Sequence, residues 1–120
     1  MLAKHKGNQF ELLIYKELRE LGHCKRTIGS GSSDEPGDII FKNYAIECKH
    51  LKQVRWSMLT KFWDKLKKEI DEVRPLYVPY SPIIIFRQNR EPIMVMSIGS
   101  IEGKTIRCVT SYNLWKQVIK

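Results

Sequence analysis

The chain has 120 residues, 42% of them apolar and 28% charged, a balance that suits one globular domain over residues 1–120 and excludes a disordered chain. Lys and Arg outnumber Asp and Glu by 21 to 13, giving a net charge of +8. The excess is spread along the chain, with ten basic and seven acidic residues in the first sixty and eleven and six in the rest. Such a balance favours a polyanionic partner, nucleic acid first among them. The longest purely apolar run, Ile83 to Phe86, is too short to span a bilayer, and no apolar stretch follows the basic start, so a cytosolic protein without a membrane partner is expected. Cys24, Cys48 and Cys108 are odd in number and widely spaced, which argues against a disulfide scaffold and a zinc site alike.

In chain order, residues 6–21 read as a helix, with Phe10, Leu13, Ile14, Leu18 and Leu21 forming one apolar stripe and Gly22 just past its end. Glu11 lies at the edge of that stripe and Glu17 inside it, and periodicity does not choose which carboxylate looks inward. Gly29 to Gly37 is rich in turn formers and reads as a loop. It has glycines but no Gly-Lys-Ser/Thr, so no nucleotide cofactor is expected. Asp38–Phe41 and Tyr44–Lys49 then read as two short strands, with Lys42-Asn43 as a two-residue turn in which Asn43 tolerates a positive φ. Residues 57–73 form a second helix, with Ser57 as its cap and an apolar face of Trp56, Leu59, Trp63, Leu66, Ile70 and Val73, widened by Phe62. Its Lys61, Lys65 and Lys68 read as a solvated face.

A proline-bearing connector, 74–82, precedes two strands, Ile83–Arg87 and Ile93–Ser97, the first apolar throughout as a central strand should be. A short strand at Ile106–Val109 and a last helix capped by Ser111, carrying Leu114, Trp115, Val118 and Ile119, complete the chain. This order of elements predicts an α/β fold, a central mixed sheet flanked by helices.

One constellation carries chemistry. A two-residue turn at Lys42-Asn43 sets Ile39 opposite Ile46 and Asp38 opposite Glu47, two carboxylates about 5 Å apart at Cβ on one face. Lys49, two residues beyond Glu47, joins that face. Paired carboxylates repel unless a cation lies between them, so Asp38, Glu47 and Lys49 form either a Mg²⁺ site with waters completing the shell or an ion-pair ladder on a solvated sheet. Lys49, His50, Lys52 and Arg55 make an acid-free basic run beside it; with Lys4, Lys6, Lys25 and Arg26 they are candidates to grip a nucleic-acid backbone. His5, His23 and His50 read as surface histidines.

Gly37-Asp38-Ile39-Ile40 followed by Ala45-Ile46-Glu47-Cys48-Lys49 resembles the signature of the PD-(D/E)XK nuclease superfamily, with Gly37 standing where the name has proline. Lys6-Gly7-Asn8-Gln9-Phe10-Glu11, and Arg26 four residues before Ser30-Gly31-Ser32, further resemble archaeal and phage-type Holliday-junction resolvases. Trp56-Ser57, Phe62-Trp63 and the Ile84–Pro92 segment resemble the phage-borne branch. The resemblance implies a restriction-endonuclease-like core and a Mg²⁺-dependent endonuclease, with Mn²⁺ as a substitute, cutting four-way DNA junctions as a homodimer. It implies that Glu11, not Glu17, faces the site, with Asp38, Glu47 and Lys49 as the other catalytic residues. Asp38, Glu47 and the Cys48 backbone carbonyl would hold the metal, and Glu11 a water of its shell or a second ion. Arg26, Ser30 and Ser32 would meet DNA. The remaining alternatives are a restriction- or repair-like nuclease on the same core, a non-catalytic DNA-binding module and an RNA-processing protein.

Overall fold

The structure is a computed structural model and describes residues 3–27, 35–73 and 80–119. The expected loop tip, including Ser30 and Ser32, and most of the proline-bearing connector lie outside the described residues, as do the side chains of Lys4 and Lys6.

Helix α1 (Ala3–Arg19) leads into β1 (Cys24–Arg26), β2 (Ile39–Phe41) and β3 (Tyr44–Leu51). Helix α2 (Trp56–Val73) then crosses to β4 (Ser81–Gln88), followed by β5 (Met94–Ile101), β6 (Lys104–Ser111) and α3 (Tyr112–Ile119). The strands form one six-stranded sheet in the order β1-β2-β3-β4-β5-β6. Among the described strands β3 and β4, joined by a helical crossover, pair in parallel, and the other neighbours pair antiparallel. The mixed sheet flanked by helices is the fold expected from the order of elements.

Alternation along the central strands sorts the apolar side chains into two layers. Ile46, Cys48, Ile83 and Ile85 face one way and meet Phe10, Ile14 and Leu18 of α1 with Tyr112 and Trp115 of α3. Ala45, Ile84, Phe86 and Met96 face the other way and meet Leu59, Trp63 and Leu66 of α2. Residues 83–86 are apolar in succession because β4 is covered on both faces. Burying Leu59 or Leu66 in this layer contributes about 1.5–3 kcal/mol each. No described helix is long and apolar enough to cross a membrane.

The β2–β3 hairpin has the expected register, Ile39 opposite Ile46, Ile40 opposite Ala45 and Phe41 opposite Tyr44. Other expectations need correction. The positive φ in the turn belongs to Lys42 (55°), not Asn43; its ammonium reaches back to the carbonyl of Ile119 at 2.9 Å. Helix α2 begins one residue earlier than expected. The Arg55 carbonyl accepts from the amides of Met58 and Leu59, so Ser57 lies inside the first turn and is no cap. Trp56 leaves the apolar face and is 53% exposed, under the Arg107 guanidinium. Leu13 is likewise exposed, and the core stripe of α1 is Phe10, Ile14 and Leu18. Pro82 belongs to β4, not to the connector, and pairs with Ala45. His50 is half-buried against Phe10, with ring centroids 5.6 Å apart, rather than a surface residue. Ser111 does cap α3, its hydroxyl accepting from the Leu114 amide at 3.1 Å. Strand β1 has three residues, Cys-Lys-Arg, too few to show a period, and its pairing with β2 was not expected from the pattern.

Candidate active site

The site grows from the turn that enters β2. Gly37 has φ +78°, and a Cβ there would lie 2.8 Å from the Ile46 carbonyl oxygen. Its amide donates to Glu69 Oε1 of α2 at 3.2 Å, and its carbonyl accepts from the Thr27 hydroxyl at 2.6 Å. Proline would fit none of this: its φ is fixed near −65° and it has no amide hydrogen. The glycine in place of the signature proline is therefore what this turn requires.

The turn delivers Asp38 to the end of the β2–β3 ribbon. Its amide donates to the Ile46 carbonyl at 2.8 Å, and its carbonyl accepts from the Thr27 amide at 2.9 Å. Its carboxylate, through Oδ2, accepts from the Cys48 amide at 2.9 Å. The paired register ends at Ile39–Ile46, so Asp38 and Glu47 are not the directly opposed pair that the hairpin alone predicts. The side chain instead closes across the ribbon onto the backbone of β3, and this still brings the two carboxylates together. Burial, and then the Glu47 charge, push the Asp38 carboxyl up to about 7, against the lowering effect of the Cys48 amide.

Glu47 is 7% exposed and is the one charged side chain buried among the described residues. Its Oε2 lies 3.7 Å from Lys49 Nζ, whose other side faces the Phe62 ring of α2, 4.7 Å from the centroid. Ala45, Glu47 and Lys49 thus run along the α2 face of β3. The Cys48 side chain points the opposite way, into the α1 layer, and burial pushes its thiol up.

On the α1 side, Glu11 Oε2 accepts from Arg26 Nε at 2.8 Å and Nη2 at 2.6 Å. Burial raises the Glu11 carboxyl above its ordinary range, Arg26 lowers it and the nearby Asp38 charge raises it again, for a net rise. Glu17 points elsewhere, to Lys116 of α3 at 2.8 Å. Of the two carboxylates that periodicity left open, Glu11 is the one beside Asp38. Lys25 pairs with Glu35 at 2.8 Å, while Lys52 and Arg55 are exposed on the connection from β3 to α2. Sequence reasoning missed Thr27 and Glu69 and gave Phe62 no more than a place on the helix face. Only the positive φ of Gly37 and the Lys49 contact single them out.

Among the described residues, no three His, Cys, Asp or Glu side chains stand together in metal-holding geometry. The chemistry of the donor set nevertheless fits a hard cation. Asp38 and Glu47 are two close carboxylates whose mutual repulsion is relieved either by a proton or by a cation, and Mg²⁺ needs no more than one or two carboxylates with waters for the rest.

No curated protein matches the sequence. Among solved structures, the chain resembles Hjc of Archaeoglobus fulgidus, a Holliday junction resolvase from an archaeal hyperthermophile, with a TM-score of 0.55 at 15% identity over 93% of this chain and 96% of that one. That likeness shows a shared fold, the restriction-endonuclease-like core implied by the signature residues. Residues 2–114 match the family described as "Phage putative PDDEXK endonuclease", so the chain belongs to this phage family of PD-(D/E)XK endonucleases.

Proposed function

We propose that the protein is a Mg²⁺-dependent, structure-selective DNA endonuclease, a Holliday-junction resolvase that nicks phosphodiester bonds at four-way junctions as a homodimer. The observation that carries the reading is the close pair of half-buried Asp38 and buried Glu47 with the Lys49 amine beside it, in a basic molecule. Membership of the endonuclease family and a fold shared with a resolvase support it.

A phosphodiester resists attack because its oxygens repel a nucleophile and its leaving alkoxide is poor. Asp38, Glu47 and the Cys48 carbonyl would hold the divalent ion, with Mn²⁺ able to replace Mg²⁺. When bound, such an ion polarises a phosphate oxygen and acidifies water. The Asp38 carboxylate is oriented for this by the Cys48 amide. Lys49, beside the Glu47 carboxylate and over the Phe62 ring, would offset charge that develops on the phosphoryl oxygens. Glu11 orients water at the rim of the site, or holds a second ion, and is itself held by Arg26.

Arg26, with Lys25, Lys52 and Arg55 and the outlying Lys4, Lys6, Ser30 and Ser32, would bind backbone phosphates. Two symmetrical nicks call for two sites, which a C2 dimer supplies. The exposed Trp56 on α2, or Leu114 and Val118 on α3, would supply its interface.

The test is incubation of a labelled four-way junction and a linear duplex of the same arms with wild type and Asp38→Asn, with and without Mg²⁺, alongside sedimentation. Junction nicking that needs both Asp38 and the ion, by a dimer, is expected. Equal cutting of the linear duplex would point to a repair-like nuclease on this core. Binding with no cleavage at all would leave a DNA-binding module, and preference for RNA in competition would redirect the reading to RNA processing.

A further inference from the structure

Lys49 carries its amine on four methylenes, and an ammonium on so long a stem does not hold one position unless something fixes it. Its Glu47 contact, at 3.7 Å, is too long for a hydrogen bond. Glu47 is also the side chain that the proposed function assigns to the metal, so it is a poor permanent partner. The second neighbour of the ammonium has no such competing duty. Phe62 stands one residue before Trp63 on α2, at the margin of the layer formed by Leu59, Trp63 and Leu66, and is half-buried against it. This offset turns the Phe62 ring away from the middle of the layer and toward the end of β3. The Lys49 Nζ lies over its face, 4.7 Å from the centroid, within the range in which an aromatic quadrupole attracts a cation.

We propose that Phe62 is a positioning residue: its ring face holds the Lys49 ammonium beside the Asp38–Glu47 pair, so that the amine is in place when phosphate charge develops. The inference rests on the nuclease reading for its effect on cleavage, but the contact itself is readable without it. A leucine at 62 would keep the apolar packing and lose the quadrupole. A tryptophan would keep the quadrupole and strengthen it.

Two measurements test the proposal. The first is NMR of the Lys49 ε-methylene in metal-free protein. The ring current should shift it upfield of the other lysines, and Phe62→Leu should return it to their position. The second is junction cleavage by Phe62→Leu, by Phe62→Trp and by protein carrying mono-, di- and trifluorophenylalanine at 62. Fluorination weakens the quadrupole stepwise at nearly constant shape. The expected result is a kcat about 3- to 30-fold lower in Phe62→Leu with KM within about twofold. Activity should recover in Phe62→Trp and fall in steps along the fluorinated series while Tm stays constant. An unshifted methylene, a flat fluorinated series or a loss expressed in KM alone would overturn the proposal. If Lys49→Met cleaves like wild type, the nuclease role of Lys49 fails, while the methylene shift still reports whether the ring holds the ammonium.

Discussion

Helix α1 carries two carboxylates, Glu11 and Glu17, six residues apart, and each is met by a cation at short range: Arg26 at 2.6 Å and Lys116 at 2.8 Å. Behind the Glu17 pair lies the buried ring of Tyr112, under Lys116 at 4.4 Å, and the pair ties α1 to α3. Behind the Glu11 pair lies Asp38, and burial, with the Asp38 charge added to it, pushes Glu11 upward despite two guanidinium hydrogen bonds. The same ion-pair chemistry therefore builds a brace near the end of the helix and a charge cluster at its middle. What separates them is burial first, with the Asp38 charge added to it at Glu11, and not the pair itself.

The largest effect that sharpens this comparison is on cleavage. Glu11→Gln should lower the rate of junction nicking by about 100-fold or more, in the range for loss of a group acting on the transition state or its proton transfers. Glu17→Gln should leave the rate within about twofold and lower Tm by no more than a few degrees, as loss of a half-exposed ion pair does. Steady-state cleavage of both variants, with their melting curves, checks it. Equal losses in the two would erase the distinction.

This distinction was only partly legible in the sequence. Ile39, Ile46 and the Lys42-Asn43 turn fix the hairpin register through period-two apolar spacing, and the structure keeps that register. The partner that chooses Glu11 is Arg26, which lies on a strand of three residues where no period can appear. The grip of Arg26, with two N–H groups on one Glu11 oxygen, follows from folding β1 beside α1, a long-range event that local pattern does not encode. Trp56 and Leu13 fit their helical stripes by spacing yet are exposed, since spacing does not say how wide a face the neighbouring layer covers. For Asp38 the sequence supplies the residue and its strand but not its hydrogen bond to the Cys48 amide, which arises only where the paired ladder ends.

Gly37 offers the next effect in size, acting on the cluster end of the comparison through the backbone. Alanine there is strained at φ +78° and presses its Cβ on the Ile46 carbonyl, 2.8 Å away. Gly37→Ala should cost about 2–3 kcal/mol of stability. It should also reduce cleavage more than its Tm implies, since the shift is passed to Asp38 one residue later. Urea unfolding and cleavage of the refolded variant read the two effects. A variant as stable and active as wild type would show that the turn yields without moving the carboxylate.

The smallest expected effect is on the pH dependence of stability in metal-free protein. The Asp38 carboxyl is raised from 3.8 in the unfolded chain to about 7 in the fold. The native state therefore binds this proton more tightly than the unfolded state. The stabilising contribution is complete below about pH 4 and is lost as pH rises through about 7. Other carboxylates titrate in the same range and change the overall charge, so the quantity to read is the difference between wild type and Asp38→Asn under chelation. Wild type should lose Tm steadily relative to the variant as pH rises from 4 to 8. Divalent ion at pH 8 should recover that loss in wild type alone, because the cation replaces the proton between Asp38 and Glu47. Parallel curves for the two proteins would mean that Asp38 is no more burdened by burial and its neighbours than an ordinary surface carboxylate, and the buried charge that sets the surroundings of Glu11 apart from those of Glu17 would be gone.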